Sequence, residues 1–168
     1  TWTAPERVRS LVSWMSSSGA PDLPGPQPSV LKAMSVQPLK PGLDQAVRNI
    51  QHLLDVMASP AEPEDPLAQA ERVRQAVQRA YRPAGVLRQT LAVMSDVDRH
   101  ELLADITRPT WVIHGRDDPL LPLPCGEDTA RRIPGARLRV VDGMGHDIPP
   151  GLLQQFLPEL IQFLHEHA

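Results

Sequence analysis

The chain has 168 residues, enough for one domain or part of a larger one at roughly 100–200 residues per domain. Seventeen basic against 20 acidic side chains leave a net charge of −3, so no cationic surplus exists to hold phosphates, and nucleic acid is not an expected partner. No apolar run approaches the ~18 residues of a membrane-spanning helix, so no membrane partner is expected, and one cysteine excludes an internal disulfide or a cysteine-rich metal site.

The opening, Thr1-Trp-Thr-Ala-Pro5, carries no Met, basic segment or apolar core of an export signal, which predicts a cytoplasmic protein. Val8 to Trp14 is β-branched and apolar between Pro5 and a Ser-Ser-Ser-Gly run, the pattern of a short strand. Residues 19–29 hold four prolines and two glycines and are expected to form a loop. From 30 to 94 the period becomes helical. Leu43, Ala46, Val47, Ile50, Leu53, Leu54 and Met57 form one stripe; Leu67, Ala70, Val73, Ala76, Val77, Ala80 and Tyr81 form a second. Pro83 suits the first position of a third helix through Val86, Leu87, Leu91 and Met94. Ser95 or Asp96 is then expected to cap a short helix through Leu102, Leu103 and Ile106.

From 108 onward the rhythm alternates. Residues 109–114 read as a buried strand ending at Gly115, 124–133 as a short helix stopped by Pro134-Gly135, and 137–141 as another strand running into Asp142-Gly-Met-Gly-His146. The tail is helical, with Leu152, Leu153, Phe156, Leu157, Leu160, Ile161 and Leu164 on one face and Pro158 set to kink or split it. Strand and helix alternating over short connections predict an α/β fold with parallel strands, interrupted by a helical insertion of some 60 residues. The predicted divisions are 1–19, a core strand; 20–94, a helical cap; and 95–168, the C-terminal α/β part.

Parallel sheets concentrate chemistry at the carboxyl ends of their strands. Two such ends carry ionisable groups: Gly115-Arg-Asp-Asp118-Pro119 and Gly143-Met-Gly-His146. If the two strands are neighbours, an aspartate can accept from one imidazole nitrogen and leave the other free as a general base. Small residues around His146 are expected to let its ring approach a substrate closely. Asp117 is the competing acid. His114, at the end of a buried strand, reads as structural. Cys125 is a poor candidate nucleophile, since it lies outside any strand–turn–helix elbow. His165 and His167, two apart on a helix, point away from each other, and no metal is expected.

The two segments PTWVIHGRDDPLLP and IPGARLRVVDGMGHDIP, in this order and 28 residues apart between Asp118 and His146, resemble the last third of an α/β-hydrolase-fold enzyme. Both ends of the chain read similarly to bacterial esterases of the aclacinomycin methylesterase type. The resemblance implies that Asp118 is the acid and His146 the base of a Ser-Asp-His triad. It also implies that residues 20–94 are the cap, and that no cofactor is needed. Trp14, Met15, Leu31, Met34 and Met94 are candidates for an apolar acyl pocket, with core packing as the alternative.

Two parts of the family pattern are missing, the nucleophile motif and the oxyanion loop, a His-Gly segment after an early strand. Gly-x-Ser-x-Gly, which carries the nucleophile, does not occur; Ser17 has Met15 where the first glycine should stand, Ser18 has Ser16 and Ala20 in place of both glycines, and the run comes after the wrong strand. The sequence thus reads as the C-terminal portion of an esterase acting on small or medium apolar carboxylic esters. It is expected to be inactive alone and to need a missing N-terminal half or another copy to cover its sheet edge. Dehalogenase, epoxide hydrolase, C–C hydrolase and haloperoxidase chemistries stay open on the same fold, as does a non-catalytic binding or scaffold role.

Overall fold

The computed structural model describes residue 1 and residues 3–35, 42–95 and 99–168. Three strands, β1 (Leu11–Trp14), β2 (Thr110–Gly115) and β3 (Arg137–Val141), form a parallel sheet in the order β1-β2-β3. Trp14 is in register with Ile113, and Gly115 with Val141, so the strands share one carboxyl edge. The helix α5 (Leu123–Arg132) links β2 to β3, and α6 (Pro150–Gln154) and α7 (Leu157–Glu166) close the chain.

Every residue of β2 is buried, as a central strand covered on both faces requires. The period of two sorts its side chains. Trp111 and Ile113 join Val141, Met144, Leu152, Phe156 and Phe163 in a core against α6 and α7. His114 turns the other way and meets Gly126 of α5. Trp111 packs on Phe163 with ring centroids 5.7 Å apart, and the Arg137 guanidinium lies 5.2 Å from the Trp111 ring. The tail divides at Phe156, and Pro158 falls in the first turn of α7, where its missing N–H costs no helical bond.

The insertion contains α1 (Pro28–Ser35), α2 (Leu43–Met57), α3 (Pro66–Ala80) and α4 (Pro83–Ser95). Ala46 and Val47 of α2 pack on Val73 and Val77 of α3, flanked by Ile50, Leu54 and Tyr81. The Asp65 side chain accepts from the amides of Leu67 and Ala68 and starts α3. Among the described residues no helix is long and apolar enough to cross a membrane.

Several boundaries differ from the sequence reading. The first strand begins at Leu11, not Val8, because Pro5 starts a 3-10 turn, Pro5–Arg7, and pairing opens only where Leu11 N donates to Pro109 O. The helix α1 begins at Pro28, inside the expected loop, since proline is accepted in a first helical turn. Leu67 is 81% exposed, so the inward face of α3 is set by Val73 and Val77 alone, joined by a buried Gln69 that donates to Asp55. Ser95 ends α4, its hydroxyl donating back to Ala92 O, instead of capping a new helix. The next element is a 3-10 helix, Arg99–Asp105; Asp96 lies outside the described residues.

Candidate active site

The loops after β2 and β3 meet at the carboxyl edge of the sheet. Gly115 makes this possible: a Cβ there would stand 2.2 Å from Met144 O. Arg116 N donates to Val141 O at 3.0 Å and Asp117 N to Met144 O at 3.0 Å. The Asp117 carboxylate then accepts from Gly143 N at 2.9 Å. Gly143 takes φ +73°, a conformation that favours glycine, at the turn leaving β3.

On this platform the Asp118 and His146 side chains come together, with Asp118 Oδ2 2.7 Å from His146 Nδ1. The other oxygen of Asp118 accepts from the amides of Leu120 and Leu121 at 2.9 and 2.8 Å. The carboxylate is thus buried but fully bonded, and its two oxygens have separate tasks. The His146 side chain is 24% exposed, so its ring retains access to solvent. With Nδ1–H donating to Asp118, Nε2 carries a lone pair. Asp117, the competing acid, holds the two loops together instead of meeting the ring.

His114 is wholly buried. Its Nε2 lies 2.7 Å from Leu121 O and 3.7 Å from Asp118 Oδ2, so it supports the turn that presents the acid. Cys125 is buried, and its thiol lies 3.7 Å from Pro24 O. Burial pushes that thiol above its ordinary value, against a lowering hydrogen bond with Ser17, and the charges of Asp118 and Asp128 raise it further. Such a group is a poor nucleophile at neutral pH. Ser18 donates to Asp128 Oδ2 at 2.5 Å. His167 packs edge-on against Phe163. Among the described residues no group of three or more His, Cys, Asp or Glu could hold a metal ion.

The five apolar candidates are dispersed. Trp14 packs on Phe156 at 5.4 Å between ring centroids, and Met15, with φ +42°, also borders the core. Leu31 and Met34 are exposed on α1, and Met94 is exposed on α4. A groove of about 530 Å³ runs along β1, lined in part by Trp14, Ser16, Ser18, Arg99 and Leu103; Asp118 and His146 are not among its walls.

Sequence reasoning missed the other neighbours of the histidine loop. His146 N donates to Met57 O at 2.8 Å and Gly145 N to Ser59 Oγ at 2.9 Å. Glu62 accepts from the amides of Gly151 and Leu152 and so starts α6. Gly145, next to His146, also serves the packing of the chain. A Cβ on Gly145 would stand 2.5 Å from Met57 O, so its smallness admits the α2–α3 connection.

No family model matches the chain. It is similar over its length to solved α/β hydrolases, among them a meta-cleavage product hydrolase from Pseudomonas fluorescens IP01. That structure superposes with a TM-score of 0.68 at 21% identity, covering 99% of this chain and 59% of that one. The fold is that of an α/β hydrolase, in part. Among curated relatives, a pimeloyl-[acyl-carrier protein] methyl ester esterase from Aliivibrio fischeri is 28% identical over 170 residues, 99% of this chain and 64% of that protein. A 2-hydroxy-6-oxononadienedioate/2-hydroxy-6-oxononatrienedioate hydrolase from Cupriavidus pinatubonensis is 28% identical over 147 residues, 84% of this chain and 48% of that protein. The chain thus spans between about half and two thirds of the length of these α/β-hydrolase-fold proteins.

Proposed function

We propose that this chain supplies the acid and base of a serine-type hydrolase acting on carboxylic esters. The carrying observation is the 2.7 Å contact between Asp118 Oδ2 and His146 Nδ1 at the shared carboxyl edge of β2 and β3. The similarity to methyl ester esterases supports esters as the substrate class.

In this reading His146 Nε2 takes the proton of a serine hydroxyl as that oxygen attacks the ester carbonyl. It returns the proton to the departing alcohol, then draws a proton from water to release the acid. Asp118 keeps Nδ1–H in place and stabilises the imidazolium that forms in each half. Its amide bonds from Leu120 and Leu121 keep the carboxylate from turning away. The sequence contains no Gly-x-Ser-x-Gly, so the serine and the oxyanion donors come from outside these 168 residues. Cleavage of a meta-cleavage product, by the same acid and base, is the second reading, favoured by the Cupriavidus relative and the Pseudomonas structure.

The test is hydrolysis of p-nitrophenyl acetate. The 168-residue chain should turn over no faster than its His146→Ala variant. In a longer protein that carries this segment behind a serine elbow, His146→Ala should lower kcat by about 10⁴-fold or more. Undiminished turnover in that variant would remove His146 from the chemistry. Enzyme-like turnover by the short chain, lost in His146→Ala, would place a nucleophile within it.

A further inference from the structure

We propose that Ser59, acting with Asp147, is a positioning residue that fastens the α2–α3 connection to the loop carrying His146 and thereby sets where the imidazole stands. The inference rests on the reading of His146 as a base, but its evidence is separate.

Ser59 is wholly buried, and every polar atom it turns toward the histidine loop is used. Its hydroxyl donates to Asp147 Oδ1 and accepts from Gly145 N at 2.9 Å, and its amide donates to the same Asp147 oxygen at 2.9 Å. Two main-chain bonds flank it: His146 N to Met57 O at 2.8 Å, and Ala61 N to Gly143 O at 3.2 Å. Residues 143, 145, 146 and 147 are therefore each tied to residues 57–61. The two backbones touch, since a Cβ on Gly145 would lie 2.6 Å from Ala58 O and one on Gly143 would lie 2.4 Å from the Ala61 Cβ.

Asp118 grips His146 only at Nδ1, through the ring. A ring held at one nitrogen still swings with its backbone. The strap from α2 to α3 holds that backbone on both sides of the histidine, and the Ser59 side chain bonds both Gly145, before it, and Asp147, after it. Removing the hydroxyl leaves Gly145 N buried without its acceptor, a loss confined to this junction. The α2–α3 connection and the base are thus fastened together, and a shift of that connection displaces the ring.

The experiment uses the full chain by NMR. In Ser59→Ala and Asp147→Ala, hydrogen exchange of the Gly145 and His146 amides should rise about tenfold or more, while Val112 and Ile113 amides in β2 stay unchanged. The His146 ring nitrogens should also shift, although neither replaced side chain bonds the ring; a merely structural residue would not move them. Asp147→Asn keeps an acceptor oxygen and should stay close to wild type. If Ser59→Ala also speeds exchange in β2, it has loosened the whole fold, and the half-buried Asp147 pair of variants decides the matter. Unchanged exchange and ring signals in Asp147→Ala would overturn the inference while leaving the ester assay untouched. Failure of that assay would remove the base without releasing the strap.

Discussion

Gly126 of α5 lies directly against the ring of His114, and its missing side chain lets a buried imidazole support the acid. A Cβ at that position would stand 2.4 Å from Nδ1 and 2.6 Å from Cγ of His114. The ring has nowhere else to go, because it is wholly buried and its Nε2 is committed to Leu121 O at 2.7 Å. A carbonyl can only accept, so Nε2 carries the proton; Nδ1 has no hydrogen-bond partner among the described residues. Leu121 in turn donates its amide to Asp118. A methyl group at 126 therefore pushes through His114 to the acid loop. Gly126→Ala should destabilise the chain by about 1–3 kcal/mol, the usual cost of overpacking. Gly25→Ala, where the added atom meets nothing within 4 Å, should stay within about 0.5 kcal/mol of wild type. Urea unfolding of the two variants is the measurement, and equal midpoints would mean that α5 yields freely.

Between elements, a buried polar tie joins α5 to the turn after β1, where Ser18 donates to Asp128. Burial works to raise the Asp128 carboxyl, but the Ser18 hydroxyl, Arg132 and Arg131 outweigh it and hold the group below the ordinary carboxylate range. A depressed carboxyl stabilises the fold fully above its unfolded value, and that stability is lost as the pH falls through the lower, folded one. Asp128→Ala should cost about 1–3 kcal/mol near pH 6, with the gap from wild type narrowing in acid below the ordinary carboxylate range. A gap independent of pH in paired denaturant titrations would show that packing, not charge, makes this tie. Elements with a strong period were legible in the chain itself. Thr110 to Gly115 alternates between two covered faces, and the α2 stripe turns Ala46 and Val47 inward. Asp118 and His146 were legible because strand ends in a parallel sheet are where the chain leaves cover. Ser59 with Asp147, and Glu62 with Leu152, were not. These pairs lie 88 and 90 positions apart, joined by local bonds that no periodic pattern encodes. Leu67 misled for the opposite reason, fitting the period of α3 while standing outside the narrow face that α2 covers.

For the whole molecule, the decisive feature is apolar surface without a covering layer. Among the described residues the sheet ends at β1, where Leu11 sends its amide to Pro109 O and Met15 its amide to Ile113 O of β2, and the alternation of a parallel ladder turns those of Val12 and Trp14 outward. Beside this edge runs the groove of about 530 Å³. The helix α4 buries none of its residues, and Leu87, Leu91 and Met94 are all exposed, Met94 at 73%. Each apolar Å² left in water forgoes roughly 25 cal/mol, so such surfaces favour a cover. An N-terminal portion of a longer protein or a second copy of this chain would provide one. The isolated chain should therefore enhance the fluorescence of anilinonaphthalene sulfonate and sediment with a mass that rises with concentration. Leu87→Lys with Leu91→Lys should reduce the dye signal by about half. Because both side chains are more than half exposed, their loss should change stability by no more than about 0.5 kcal/mol. A large fall in stability would show that α4 already packs within the chain. An unchanged dye signal would assign the exposed apolar surface to the β1 edge alone.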